Sequence, residues 1–305
     1  MKLILVRPRG FCAGVNRAVQ ILSHTCAEAG ENPVYVFHEI VHNSWVVEGF
    51  RKKGVRFVES LDQVPTGATV LFSAHGVSPA VRREATLRGL TCIDATCPLV
   101  ASLHRLARKY AEEGWHIFLI GHRGHQEVIG VLGEAPERMT LVSSADEVSS
   151  LSIPETADPT KLTYLTQTTL SEEGWRGIVA ALRLRFPALV TPPGAGACFA
   201  TRNRQEAVRR TVPEADALLV VGSANSSNSR RLAELGEMSA VRSFLVNGPD
   251  DIDPTEFTPE MTLVMTAGAS APEEVFQECV GKLAQFFPVE IEQRVVCEET
   301  AVFRD

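Results

Sequence analysis

The chain has 305 residues, 45% hydrophobic and 22% charged, with a net charge of −7. It is too long for one growing core, so two or three domains are expected, and its balance is that of a globular protein with neither nucleic acid nor an anionic membrane as partner. No apolar run nears the roughly 20 residues of a membrane span. The opening MKLILVRPRGF is interrupted by Arg7 and Pro8 before it can form a signal peptide. With seven cysteines, this predicts a cytoplasmic protein whose thiols are reduced or metal-bound.

Apolar runs of strand length fall at residues 2–6, 34–37, 69–72, 116–120, 162–165, 217–221 and 262–265. Most are followed by Gly, Ser, His or Asn and then by helical spacing, as at 79–87 and 230–235. Strands alternating with helices imply parallel sheets with helices on their faces, and ligands then gather at the strands' carboxyl ends. Four segments share one look: LFSAHGVSP, FLIGHRGHQEV, LVVGSANSSNSRR and VMTAGASAP. They predict a few similar α/β modules about a centre. Boundaries are expected near Cys97 and the PPGAG stretch, giving domains 1–96, 97–195 and 196–285 with a tail at 286–305. Residues 289–303 alternate enough for an extended strand packed on the body.

Cys12, Cys97 and Cys198 each sit where a strand gives way to a helix, beside Gly, Pro or Ala. Unpaired N–H groups at a helix start favour a thiolate there. No pair has CxxC spacing, so a shared role requires the fold to unite three modules. Three thiolates at one point can hold an iron–sulfur cluster, and a four-iron cluster held by three keeps one iron open. Each alone also fits a nucleophile. Zinc competes, with His122 and His125 close together, but lacks the short spacing of a zinc site. Cys26, Cys92, Cys279 and Cys297 read as small buried hydrophobes.

His42 precedes an apolar helix face, with Asn43 or Ser44 as its cap. His75 lies in a Gly-rich turn, and GHRGHQEVIG gathers His122, His125 and Glu127. Such histidines serve as caps or hydrogen-bonding groups, yet three of them at three strand ends also suit one anionic ligand. SANSSNS at 223–229, with Ser226, Ser227 and Asn228, supplies hydroxyls and amides at a helix start, either a capped serine turn or a phosphate cradle. Ser270 in AGASAP repeats the arrangement, and LTQTTL adds Thr168 and Thr169. Neither GxxxxGK[ST] nor GxGxxG occurs, so the pocket suits a diphosphate without a nucleoside.

Together GFCAGV, EIVHN, SAHGVS, DATCPLV, GHxGHxEV, TQTTL, CFATxNRQ, GSxNSSNS and AGASAPE resemble, in order and over nearly the whole chain, the 4-hydroxy-3-methylbut-2-enyl diphosphate reductase family. The resemblance implies three α/β domains in pseudo-threefold arrangement around a 4Fe-4S cluster, with Cys12, Cys97 and Cys198 as its ligands. It implies that His42, His75, His125, Ser226, Ser227, Asn228 and Ser270 hold the substrate diphosphate. Thr168 would sit by the substrate hydroxyl and Glu127 would donate the proton. Two departures stand out: Gln126 replaces the Pro of the family's GHPEV, and Phe199 and Arg202 replace Tyr and Gln in CYATQNRQ.

The implied reaction is the last step of the methylerythritol phosphate route. It removes an allylic hydroxyl with two electrons and two protons, giving isopentenyl and dimethylallyl diphosphate. The open iron would act as a Lewis acid, and a ferredoxin or flavodoxin would supply electrons. Hydroxide leaves poorly, which calls for an acid such as Glu127. Three rivals differ in their requirements. A cluster-dependent dehydratase would need no reductant, a cluster-bearing sensor would need no diphosphate pocket, and a cysteine-nucleophile enzyme would need no iron.

Overall fold

The computed structural model describes residues 1–303. Strand and helix alternate from the start: β1 (Lys2–Arg7), α1 (Ala13–Ala29), β2 (Tyr35–Phe37), α2 (Ser44–Lys52), β3 (Arg56–Val58), β4 (Thr69–Phe72), α3 (Pro79–Leu87), β5 (Thr91–Asp94) and α4 (Pro98–Glu112). There follow β6 (His116–Ile120), α5 (Gln126–Leu132), β7 (Met139–Val142), β8 (Leu162–Thr166), α6 (Glu172–Arg185), β9 (Leu189–Val190) and α7 (Phe199–Thr211). The last are β10 (Ala217–Val221), α8 (Ser227–Met238), β11 (Arg242–Val246), β12 (Thr262–Ala267), α9 (Glu273–Phe286) and β13 (Glu290–Val295). No described helix is long and apolar enough to cross a membrane.

Two units divide the chain. One takes residues 1–16, 41–53 and the chain from Phe199 on; the other takes 17–40 and 54–198. The first unit holds a five-stranded sheet ordered β11-β10-β12-β1-β13, every pair parallel. Because side chains alternate along a strand, its apolar runs serve both faces. Leu3, Leu5, Leu219, Val221, Leu263 and Met265 pack with Phe276, Cys279 and Leu283 of α9. Ile4, Val6, Leu218, Val220 and Val264 pack with Val208 of α7 and Leu232 and Leu235 of α8. Each fully buried Leu or Val contributes about 1.5–3 kcal/mol.

The second unit carries two four-stranded parallel sheets, β3-β2-β4-β5 and β7-β6-β8-β9. In the former, Tyr35, Phe37, Val70 and Phe72 pack on Ala85 of α3. In the latter, Phe118 and Tyr164 face α6 through Ile178 and Leu182, while Ile117, Leu119 and Leu165 face α4 and α5 through Leu103 and Val131. The α/β class and its three parallel sheets match the expectation.

Sheet membership departs from chain order at one strand. β1 opens the stretch expected as a first domain at 1–96, yet it pairs with β12 and β13. Local hydrophobic pattern marks a strand buried on both faces but does not name its neighbours. The expected tail strand is β13, a sheet edge with alternating exposed residues. Its charges blunt that edge, with Lys2 on Glu292 at 2.9 Å and Arg294 on Glu214 at 2.8 Å.

Helix starts explain the Gln126 departure. His125 caps α5 in extended backbone, φ −70 and ψ 135, accepting the Glu127 N–H. Gln126 is therefore the first helical residue, where proline is favoured but not required. Gln126→Pro is expected to stabilise the fold by about 0.4–1 kcal/mol, because the backbone before it already suits proline. A thermal melt showing a lower midpoint for this variant would contradict that account.

Candidate functional site

In a parallel sheet all strands end on one edge, so each strand-to-helix loop emerges there. On the five-stranded sheet those loops carry Cys12 after β1, Ser226 after β10 and Ser270 after β12. On the second sheet they carry His42 after β2, His75 after β4 and Cys97 after β5. On the third they carry His125 after β6, Thr168 after β8 and Cys198 after β9. Each sheet thus offers one cysteine and two loops of polar side chains.

In the first unit, Cys12 is fixed through its backbone. Its N–H donates to Ala269 O at 3.1 Å, and Gly10 N–H donates to Ala267 O at 3.2 Å. Ser270 is buried, and its hydroxyl donates to the His42 carbonyl at 2.9 Å. Asn43, not Ser44, caps α2, accepting the Val46 N–H at 3.0 Å. Ser44 instead joins a network missed in the sequence. Its N–H donates to Ser223 Oγ at 2.9 Å, and both hydroxyls meet Asn247 Oδ1, at 2.7 and 2.5 Å. Asn247 lay outside every motif, so no local signal marked it.

The SANSSNS loop is packed tightly at its base. Ser229 sits so close to the strand ends that a Cβ on Gly222 or Gly268 would lie 2.2 or 2.0 Å from its Oγ. Ser226 Oγ caps α8, accepting from Ser229 N at 3.3 Å and Ser229 Oγ at 3.1 Å, which leaves its own proton to donate. Ser227 and Asn228 are each 3% exposed, yet Ser227 Oγ and both amide atoms of Asn228 have no hydrogen-bond partner among the described residues. Leaving a buried polar group unbonded costs about 1–3 kcal/mol, a penalty a polar ligand relieves. The adjoining helix N-terminus favours an anion.

In the second unit, Glu127 is 2% exposed and Thr168 holds both of its oxygens. The Thr168 N–H donates to Oε1 and its hydroxyl to Oε2, each at 2.7 Å. The Thr168 carbonyl in turn accepts the Cys198 N–H at 3.0 Å. One residue therefore joins the carboxyl group to the cysteine loop, through backbone atoms that the sequence does not display. Gln167 braces the same turn, accepting the His122 N–H at 2.9 Å and donating to Thr169 Oγ1 at 2.8 Å.

His125 Nδ1 accepts the Glu127 N–H at 3.2 Å. A neutral ring so held carries its proton on Nε2, a donor for an acceptor beyond. The His75 ring stands edge-on to it, with centroids 5.8 Å apart. Thus His75, His125, Glu127 and Thr168 fall in one unit. Around Cys97, Asp94 Oδ1 accepts both the Thr96 N–H at 3.0 Å and the Thr96 hydroxyl at 2.5 Å, and Cys97 N–H donates to Ala74 O at 3.0 Å. Arg202 is exposed on α7, and Phe199, the helix's first residue, is half-buried.

Cys12, Cys97 and Cys198 are partly buried, and each immediately precedes a helix. Only one of the other four meets the expectation of a buried hydrophobe. Cys279 is buried, its thiol pushed up to about 12 by burial. Cys92 is exposed, and Cys26 and Cys297 are half-buried. The correction has a local cause: β5 is an edge strand whose Cys92 side is uncovered. Among the described residues no three His, Cys, Asp or Glu side chains group as a single metal ion would require. A cluster sets a different condition, because each cysteine binds its own iron. Cys12, Cys97 and Cys198 each stand at a helix start, one after a strand of each sheet, and a thiol is the donor type such a cluster takes.

The family profile described as LytB protein matches residues 3–284. The chain is 49% identical over 303 residues to the 4-hydroxy-3-methylbut-2-enyl diphosphate reductase of Rhodopirellula baltica, covering 99% of this chain and 94% of that protein. It is 48% identical over 304 residues to the protein of the same name from Burkholderia pseudomallei, covering 100% and 96%. The structure of the E-1-hydroxy-2-methyl-but-2-enyl-4-diphosphate reductase from Plasmodium falciparum matches with a TM-score of 0.93 at 36% identity, covering 99% of this chain and 94% of that one. Sequence and fold agree over nearly the full length: the chain belongs to the LytB protein family.

Proposed function

We propose that this chain is an oxidoreductase that removes the allylic hydroxyl of 4-hydroxy-3-methylbut-2-enyl diphosphate. Two electrons and two protons are consumed, and isopentenyl or dimethylallyl diphosphate leaves with one water. Family membership supports the reading, since its full-length relatives bear that reductase name. The observation that carries it is the buried Glu127 carboxyl group with both oxygens on Thr168.

Cys12, Cys97 and Cys198 would hold a 4Fe-4S cluster, which when bound supplies single electrons and a Lewis-acidic open iron. The remaining work belongs to the chain's own groups. Asn228, Ser227 and the Ser226 hydroxyl bind diphosphate oxygens at the start of α8, where buried donors lack partners among the described residues. His125, through Nε2–H, His75 and His42 add donors, and Ser270 exchanges its bond to the His42 carbonyl for one to phosphate.

Once protonated, Glu127 can donate from Oε2 to Thr168 Oγ1 across 2.7 Å, turning the Thr168 proton toward the substrate hydroxyl. Protonation makes water the leaving group in place of hydroxide. Burial of Glu127 keeps bulk water from the same path. Protonation of the allylic system at either end accounts for two isomeric products. A one-electron carrier of the ferredoxin or flavodoxin kind supplies the electrons.

The direct test is anaerobic turnover with dithionite and a mediator, beside iron and sulfide analysis. Cluster-dependent formation of the two C5 diphosphates is expected, whereas a loaded cluster without products would reject this substrate. Glu127→Gln can keep the Thr168 N–H bond through its amide oxygen and donate its NH2 to Thr168 Oγ1, but cannot release a proton, so turnover should fall at least about 100-fold with cluster content unchanged. Near-normal turnover would remove Glu127 from the role. Cys97→Ser should lose most iron while Cys92→Ser retains it, and equal iron contents would defeat the ligand assignment. Asn228→Ala should raise KM about tenfold or more, equivalent to about 1.4 kcal/mol of binding. An unchanged KM would place the diphosphate elsewhere.

A further inference from the structure

Arg204 heads the largest fully buried side chains of the described residues, at 1% exposure. A guanidinium this deep needs hydrogen-bond acceptors and a counter-charge. Its Nη2 donates to the Gly10 carbonyl at 2.8 Å, and Nη1 donates to the Ala200 carbonyl at 2.9 Å. Nη1 also meets Glu299 Oε1 at 3.0 Å and Oε2 at 3.1 Å. Asn203 Nδ2 adds a bond to the same Oε1 at 3.1 Å, so Glu299 is held from two side chains of α7.

The backbone groups on Arg204 lie close in sequence to proposed ligands. Gly10 is two residues before Cys12, and Ala200 is in the first turn of α7, which begins directly after Cys198. Gly10 has φ +67, and a Cβ there would come within 3.2 Å of the Ala271 carbonyl. A side chain would therefore be strained and crowded at that turn, whose carbonyl Arg204 holds. Glu299 comes from the segment after β13, beyond the residues 3–284 matched by the family profile. The pair also lines an open cavity of about 500 Å³ together with Phe11 and Cys297.

We propose that Arg204 is a positioning residue for the Cys12 loop and that Glu299 is its counter-charge, so the C-terminal segment governs how firmly Cys12 holds the cluster. The proposal rests on the cluster reading above. Without Glu299, the buried guanidinium is drawn toward solvent and releases the Gly10 carbonyl. The Cys12 loop then gains freedom, and its thiolate exchanges more readily with competing ligands.

The test uses full-length wild type, Glu299→Ala, Glu299→Gln, Arg204→Lys and, as a control, Glu298→Ala at an exposed neighbour. Iron and sulfide per chain are measured after anaerobic reconstitution, with the rate of iron loss to a chelator and the melting of the cluster-free protein. Glu299→Ala should lose iron at least tenfold faster than wild type, with Glu299→Gln between them because it keeps hydrogen bonds but not charge. Glu298→Ala should match wild type. Arg204→Lys, whose single ammonium cannot replace the planar fork, should also lose iron faster, and it tests the clamp if Glu299→Ala fails to fold. Release at the wild-type rate from either folded variant overturns the proposal while leaving the cluster reading intact. A wild-type chain that takes up no iron overturns the cluster reading and this proposal with it.

Discussion

A parallel sheet delivers every strand to the same edge, and the chemistry of this chain depends on that constraint. Ten strand pairings are described and all are parallel. The chain must therefore cross back after each strand, and helices cover both faces. The result is a series of short loops at the carboxyl ends, each leading to the N-terminus of a helix. Thiols, imidazoles, hydroxyls and one carboxyl group occupy those loops in turn. Helix N-termini suit anions and thiolates, so the fold supplies electrostatics before any particular side chain is considered.

Precision within those loops comes from small residues and backbone bonds. Gly222 and Gly268 end their strands without side chains, and Ser229 fills the space between them. This sets the start of α8, where Ser227 and Asn228 have buried polar atoms without a hydrogen-bond partner among the described residues. Gly10 plays the corresponding part beside Cys12: its N–H donates to the Ala267 carbonyl, its carbonyl accepts from Arg204, and a Cβ there would crowd the Ala271 carbonyl. Such positions tolerate little change because an added Cβ would meet neighbours below contact distance.

Thr168 links acid and cysteine in the second unit. Its N–H and hydroxyl occupy Glu127, while its carbonyl receives the Cys198 amide. One residue thus ties the carboxyl group to the cysteine loop, and a shift of one moves the others. The same logic in the first unit joins Ser270 to His42 and Ser44 to Ser223 and Asn247. Short polar contacts thus hold these loops to one another.

By itself the sequence determined the α/β class, the principal strands, the helix starts and the loop positions of the candidate residues. Each is a local property, written in apolar runs and in the Gly, Ser, His and Cys that follow them. Residues 79–87 and 116–120 recur as α3 and β6 without adjustment, because Ser78 and Pro79 start the helix and an unbroken apolar run makes the strand. Only the tertiary structure decided that β1 joins β12 and β13, that Cys92 is exposed, and that Asn247, Arg204 and Glu299 serve the loops. It also decided the double bond from Thr168 to Glu127. These depend on register, burial and backbone donors brought together from distant segments, and a residue's neighbours in space leave no mark in its neighbours along the chain.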